Sequence, residues 1–251
     1  MLTALQKTNQ KKIIAAFASR DDKPFACSEC GSDVVLKKGA LKVAHFAHKP
    51  PVTCDYGSGE TEEHRRCKND IYNSLSALKC LTECEMEKSF TVVRPDIYFR
   101  TESGVHVAIE VQISNLTIDT IVRRTAYYEK LGIYVLWMPS LRSSGLHNQS
   151  KIYSPKAWEK WLHQTYYGRV YYWSDALNVC PVKFDNYQLY VEETDYGGGY
   201  YKTSKRYVTP ILLDMVRFPF DFQPKHRGSW QGKIYTPNSK IMLDNKSFSS
   251  R

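Results

Sequence analysis

No stretch of this 251-residue chain approaches 18 consecutive uncharged apolar residues, which excludes a helix that crosses a bilayer. The early residues also lack a signal-like apolar core, because Lys7, Lys11 and Lys12 interrupt them; a cytoplasmic protein is expected. Cysteine occurs seven times, an odd number, and Cys67, Cys80, Cys84 and Cys180 lie away from any ligand-like cluster. Reduced thiols are therefore expected rather than a disulfide framework. Acid is in deficit: 26 Asp and Glu against 35 Lys and Arg leave a net charge of +9, a balance that favours polyanionic partners. The apolar fraction is ordinary for a globular protein, and the length suits one large domain or two small ones.

Two short segments carry most of the information. Residues 92–100 alternate, with Val93, Pro95, Ile97 and Phe99 on one face and Arg94, Asp96, Tyr98 and Arg100 on the other. Residues 105–114 alternate too, with Val107, Ile109, Val111 and Ile113 opposed to His106, Ala108, Glu110, Gln112 and Ser114. Period two is the mark of a strand, and the polar stretch Thr101-Glu102-Ser103-Gly104 between them reads as a hairpin turn. The indices of Asp96 and Glu110 sum to 206, which centres the pairing on Ser103 and sets the two carboxylates opposite each other. Like charges across a ladder are destabilising unless compensated, and a divalent cation compensates them. Glu110 also interrupts an apolar run that reads as a nearly buried strand, where a carboxylate needs a partner.

Upstream, residues 59–72 read as a helix with Glu60, His64 and Lys68 at successive i, i+4 steps. Taken alone, that stripe is equally a solvated charged face; the strand pair downstream favours a site.

Glu60-x-x-Glu63-His64-x-x-x-Lys68, then Arg94-Pro95-Asp96, then Ile109-Glu110-Val111-Gln112-x-Ser114, then a helix over 116–131 and a strand ending in Trp137 resemble the competence protein CoiA family within the PD-(D/E)xK nuclease superfamily. The resemblance covers roughly residues 25–138, with a weaker echo over 166–173. It implies an α/β fold: a PD-(D/E)xK nuclease-like core, a mixed sheet flanked by helices, behind an N-terminal zinc ribbon. It further implies a Mg²⁺ (or Mn²⁺) ion held by Asp96 and Glu110, with the Val111 carbonyl as a third oxygen, and water attacking a phosphodiester. Glu60 or Glu63 would complete a second position or orient water, while His64 and Lys68 would face the phosphate. One position departs from the superfamily pattern: Gln112 stands where a lysine is usual, so Lys68 would supply the missing charge.

A second chemistry precedes the core. Cys27 and Cys30 have the spacing of a zinc knuckle and are followed by a Gly-containing hairpin pattern over 31–39, then by His45, His48 and Cys54. Five candidates thus compete for four tetrahedral positions around a structural Zn²⁺. Cys27, Cys30 and one of the two histidines are favoured, with Cys54 or the other histidine as the fourth. The competing readings are a redox Cys-x-x-Cys and, more remotely, a zinc hydrolase using His45 and His48.

The rest is organised more loosely. Residues 5–19 have helical spacing, 75–81 continue the upstream helix, and 83–89 read as a polar link. The helix over 116–131 turns Ile118, Ile121, Val122, Thr125, Tyr128 and Leu131 inward. Residues 140–154 form a linker, followed by a helix capped by Ser154 with Pro155 at its first position. A strand over 170–173 and a turn over 195–200 come next. Twelve of eighteen tyrosines lie beyond residue 140, and residues 222–251 carry six Lys and Arg against one acid, a composition that suits either a small core or interface, or stacking and phosphate contacts with nucleic acid.

The expected domains are an extension over 1–24, the zinc ribbon over 25–56, the nuclease-like core over 57–139, the linker, and an aromatic, basic region over 155–251. The expected function is that of a metal-dependent DNA nuclease whose partners are DNA and, by resemblance, a recombination or DNA-processing protein. The alternative is a nucleic-acid-binding adaptor that keeps the fold without turnover.

Overall fold

The computed structural model describes residues 1–146, 152–193, 197–232 and 234–248. The chain divides into two compact units, Met1–Val111 and Gln112–Arg251.

The first unit opens on a five-stranded antiparallel sheet in the order β2-β1-β3-β4-β5, formed by β1 (Thr3–Gln6), β2 (Lys12–Ile14), β3 (Phe25–Ala26), β4 (Asp33–Lys37) and β5 (His45–His48). The helix expected over 5–19 is replaced by a hairpin. Thr3 pairs with Ile14 and Leu5 with Lys12, Gln10 takes a left-handed φ of 57° to close the turn, and Ala4, Ala15 and Ala18 go into the core. Those alanines pack with Phe25, Val34 and Phe46 into a small apolar cluster, an area too small to hold a domain of this size by burial alone.

Helix α1 (Glu62–Ser76) follows. Thr61 caps it by accepting a hydrogen bond from the His64 N–H at 3.1 Å, Glu62 and Glu63 occupy the first turn, where carboxylates complement the helix dipole. Cys67, Ile71 and Leu75 form its buried stripe, and Lys68 is buried beside them. The helix stops at Ser76 rather than running to residue 81. Residues expected to form a polar link are instead strand β6 (Leu81–Met86), antiparallel to β7 (Ile97–Thr101), which pairs antiparallel with β8 (His106–Gln112). The β7 strand begins only at Ile97, five residues later than the alternation predicts. In the β7–β8 hairpin Ile97 faces Ile109 and Tyr98 faces Ala108, the same index sum of 206 read from the sequence. Gly104 closes its turn at a φ of 80°, a conformation in which glycine carries no Cβ penalty. From Val107 to Gln112 every β8 residue is buried.

In the second unit, α2 (Ile118–Lys130) is capped by Thr117 and buries Ile121, Thr125 and Tyr128; its expected stripe ends early, since Leu131 is half exposed. Strand β9 (Tyr134–Pro139) follows, then a single turn α3 (Leu141–Ser144) and α4 (Ala157–Thr165). The cap of α4 is Lys156, whose N–H donates to the Glu159 carboxylate at 2.7 Å. That bond fixes the helix start two residues beyond the expected Ser154. The Tyr166 hydroxyl accepts from the Trp137 N–H at 3.0 Å and donates to the Val135 carbonyl at 3.1 Å, clasping β9.

Strands β10 (Val170–Asp175), β11 (Asn178–Val191) and β12 (Tyr200–Leu212) form an antiparallel meander, with β13 (Val216–Arg217) beside β11. β14 (Phe222–Arg227) is antiparallel to β17 (Ser239–Asp244), and β15 (Trp230–Gln231) pairs with β16 (Tyr235–Thr236) between them. β17 lies parallel to β9, with Ile241 opposite Val135, so the sheet is mixed. The basic segment beyond residue 222 is therefore largely strand, and its Ile241 and Leu243 are fully buried. Parts of the expected linker (147–151) and turn (195–196), and the tail charges Lys233 and Arg251, lie outside the described residues. Among the described residues no helix is long and apolar enough to cross a membrane.

Candidate active site and metal centre

Four of the predicted polar residues meet in the first unit. One turn of α1 separates His64 from Lys68, and the residues just before β7 bring Asp96 against both. The Lys68 ammonium lies 2.7 Å from Glu60 Oε1, 2.5 Å from Glu87 Oε1 and 3.2 Å from Asp96 Oδ1. His64 Nε2 is 3.2 Å from Asp96 Oδ2, which also accepts the Val111 N–H at 2.8 Å. Asp96 is thereby fixed from three sides.

The placement of Lys68 corrects the sequence reading, in which it faces a phosphate. Its side chain is 4 % exposed, and its three N–H donors are matched by three carboxylates. A buried ammonium is costly unless paired, and here the pairing wins: burial alone would lower its pKa, but Glu87, Asp96 and Glu60 raise it well above the usual lysine value. The same balance operates on the acids. Burial works against ionised Asp96, yet Lys68 and His64 hold its carboxyl well below the usual range. Burial likewise opposes the charged His64 ring, but the Asp96 carboxylate outweighs it and raises the pKa. Asp96 at 15 % and His64 at 25 % side-chain exposure are the members open to a ligand, whereas Glu60 and Glu87 are sealed.

Glu87 is the residue sequence reasoning missed. It follows β6 in a left-handed conformation with φ of 53°, a strained choice for a side-chain-bearing residue, in a segment that reads as a link. Its carboxylate accepts from the N–H groups of Leu2 and Thr3, from Thr3 Oγ1 at 2.7 Å and from the Tyr56 hydroxyl at 2.6 Å. Although burial pushes the other way, Lys68, the Met1 ammonium and the Tyr56 hydroxyl bring its pKa down to about 2. Glu87 thus connects the N-terminal sheet to the lysine beneath Asp96. No local motif marks it; only the tertiary fold does.

Glu63 is gripped by Arg66 through Nε at 3.0 Å and Nη2 at 2.8 Å. Glu110 is 4 % exposed within β8, and its neighbour Val111 gives its N–H to Asp96. Gln112 closes β8, and its amide donates to the Ser114 carbonyl at 2.5 Å.

A separate cluster gathers Cys27, Cys30, His48 and Cys54, whose ligand atoms lie within 4.8 Å of one another. The Cys27–Cys30 turn is of knuckle type, with Gly31 at a φ of 70° and the Glu29 N–H donating to Cys27 Sγ at 3.3 Å. Hydrogen bonds from Ser32 pull the exposed Cys30 thiol down to about 6, while burial pushes Cys27 up to about 11. Three thiols and one imidazole at this spacing can bind a metal ion such as zinc in a closed tetrahedral shell. His45, the fifth candidate, is not among the ligand atoms that converge there; its Nδ1 is engaged with the Val43 carbonyl at 2.9 Å. With one histidine and three cysteines, the zinc-hydrolase reading loses the second imidazole it requires.

An N-terminal sheet with a Cys/His cluster that could hold a metal ion, then a helix, an acid-bearing hairpin, a second helix and a strand, is the order of a chain whose family match includes a nuclease-like domain. Residues 60–180 match the family described as "Competence protein CoiA, nuclease-like domain", and residues 5–57 match "Competence protein CoiA, N-terminal domain". The chain belongs to the CoiA-like family. It is 28 % identical over 115 residues to "Competence protein CoiA" of Bacillus subtilis (strain 168), a match covering 45 % of this chain and 31 % of that relative. The chain thus spans about a third of the length of the curated relative it matches. No solved structure matches.

Proposed function

We propose that the chain is a divalent-metal-dependent nuclease that hydrolyses phosphodiester bonds in DNA, in processing linked to competence. The observation that supports this reading is Asp96, held ionised by Lys68 and His64 and hydrogen-bonded by the N–H of Val111, the residue next to the buried Glu110. Hard carboxylate oxygens of this kind suit Mg²⁺ or Mn²⁺, and Asp96, Glu110 and the Val111 carbonyl would be its protein ligands. When bound, such an ion supplies an activated water and neutralises phosphate charge.

The chain's own residues do the rest. Lys68 acts through Asp96 as a positioning residue: it keeps the carboxylate charged and pointed in one direction. His64, partly exposed and favoured in its protonated form, is the group placed to donate a hydrogen bond to a phosphate oxygen or a proton to the leaving oxygen. Glu60 holds Lys68 and is not a ligand.

The adaptor reading has its own support, because the neutral Gln112 replaces the usual lysine and Lys68 is already committed to three carboxylates. Cleavage of labelled DNA by the intact chain with Mg²⁺, beside Asp96→Asn and Glu110→Gln, separates the two. Metal-dependent cutting that both variants abolish while still binding DNA supports the nuclease; binding without cutting by the unaltered chain supports the adaptor.

A further inference from the structure

The N-terminal sheet carries a charge pattern that the metal cluster does not require. From Val34 to Cys54 there is no acid and there are four lysines, Lys37, Lys38, Lys42 and Lys49. Two open grooves flank this stretch. One, of about 750 Å³, is lined by Arg20, Lys37, Lys38 and Lys42 around Leu36 and Ala47. The other, of about 330 Å³, shares Arg20 and adds Lys23 and Lys49 around Phe25 and Val35. Lys38 is immobilised by donating to the Ala16 and Ala18 carbonyls at 2.8 and 3.0 Å, and Arg20 reaches the Lys38 carbonyl at 3.4 Å. Both are received by carbonyl oxygens, not by carboxylates. Lys23, Lys37, Lys42 and Lys49 have no ion-pair partner among the described residues. The one acid that lines the second groove, Asp33, is paired with Lys7 at 2.6 Å and also feels the Lys49 charge.

A protein does not need six cations around two half-apolar grooves for stability; like charges held together repel, and a polyanion relieves them. The position of the patch adds direction. The Val43 N–H donates to Glu62 Oε1 at 2.6 Å, which pins the lysine-bearing loop to the first turn of α1, two residues before His64. The lysine-bearing loop is therefore anchored to the helix that carries His64 and Lys68.

We infer that the β4–β5 edge of the N-terminal sheet is a nucleic-acid docking surface, in which Arg20, Lys37, Lys42 and Lys49 contact backbone phosphates and the apolar groove walls receive sugars. This inference rests on the nuclease reading for its choice of DNA as the polyanion, but not on turnover. Phosphate contacts of this type release counterions, so their signature is salt dependence rather than sequence preference.

The test is fluorescence anisotropy of a labelled oligonucleotide, single-stranded and duplex, with the full chain in Ca²⁺ across a NaCl series. The triple variant Lys37→Gln/Lys42→Gln/Lys49→Gln, with its zinc content and circular dichroism checked against the unaltered chain, is expected to bind about tenfold more weakly or worse at low salt. Its plot of log affinity against log salt should be shallower by about 2 to 3, at roughly 0.7–0.9 per lost phosphate contact. An unchanged affinity and slope in a folded, zinc-loaded variant overturns the inference. Competition by polyglutamate as effective as by unlabelled DNA also overturns it, in favour of an acidic protein partner. The two proposals fail separately: the triple variant is expected to raise KM for cleavage with kcat retained, and a chain that binds through these lysines yet never cuts sinks only the nuclease reading.

Discussion

Replacing Glu87 by glutamine tests the wiring of the site without touching any group open to a ligand. A carboxyl whose pKa falls from 4.5 to about 2 on folding contributes about 3 kcal/mol at neutral pH, at 1.36 kcal/mol per unit. Because the folded pKa is depressed, that contribution is complete above about pH 4.5 and drains away as the pH falls toward 2. Glutamine keeps the volume but leaves Lys68 with one carboxylate fewer and turns an N–H₂ toward the Leu2 and Thr3 donors. Glu87→Gln should therefore destabilise the first unit by about 3 kcal/mol at pH 7, or roughly 6–12 °C in Tm for a protein of this size. Thermal melts of both chains at pH 7 and near pH 3 measure it. The gap between them should be large at pH 7 and mostly closed at the acid end; zinc loss at low pH acts on both chains and cancels in the difference. A variant that melts with the unaltered chain at pH 7, or a gap that does not change with pH, refutes the reasoning.

Lys68→Met removes the one cation that Glu60, Glu87 and Asp96 share, and breaking such a buried pair costs about 3–5 kcal/mol; chemical denaturation should show it at pH 7, with partial recovery on acidification. Asp96→Asn removes the charge that raises the His64 pKa and leaves burial and the Lys68 ammonium, which lower it, opposed only by Glu60. NMR titration of the His64 ring should then move from above the usual histidine value to below it; in the unaltered chain the stabilisation from this pair is complete below about pH 6.5 and lost as pH rises through the elevated value. Cys54→Ser should lose zinc by elemental analysis and loosen the N-terminal sheet, whereas His45→Ala should keep one zinc per chain, because His45 is not among the four converging ligands.

The site was legible in proportion to how local its determinants are. The 206 register follows from two alternating strands and one polar turn, so Asp96 and Glu110 could be paired on paper. His64 and Lys68 follow from helical spacing on the helix that Thr61 caps. Periodicity shows only which residues share a face, not what that face meets, and so Lys68 was read as facing a phosphate when Glu60, Glu87 and Asp96 enclose it. Glu87 itself was invisible, because its partners Leu2, Thr3 and Tyr56 arrive from another sheet. The choice of Cys54 over His45 had the same origin: both histidines lie on β5, and only the three-dimensional position of Cys54 decides. The N-terminal segment misread as helical shows the limit of spacing in a short stretch, where alanines fill a strand–turn core as readily as a helix face.

The most direct test of the central claim is a cleavage assay on single-stranded, duplex and branched DNA with Mg²⁺, Mn²⁺ or Ca²⁺, comparing the unaltered chain with Asp96→Asn and Glu110→Gln. Cutting with Mg²⁺ or Mn²⁺, absent with Ca²⁺ and absent in both variants while DNA binding persists, is the predicted result. Binding without cutting under every metal, or cutting that survives both substitutions, contradicts it.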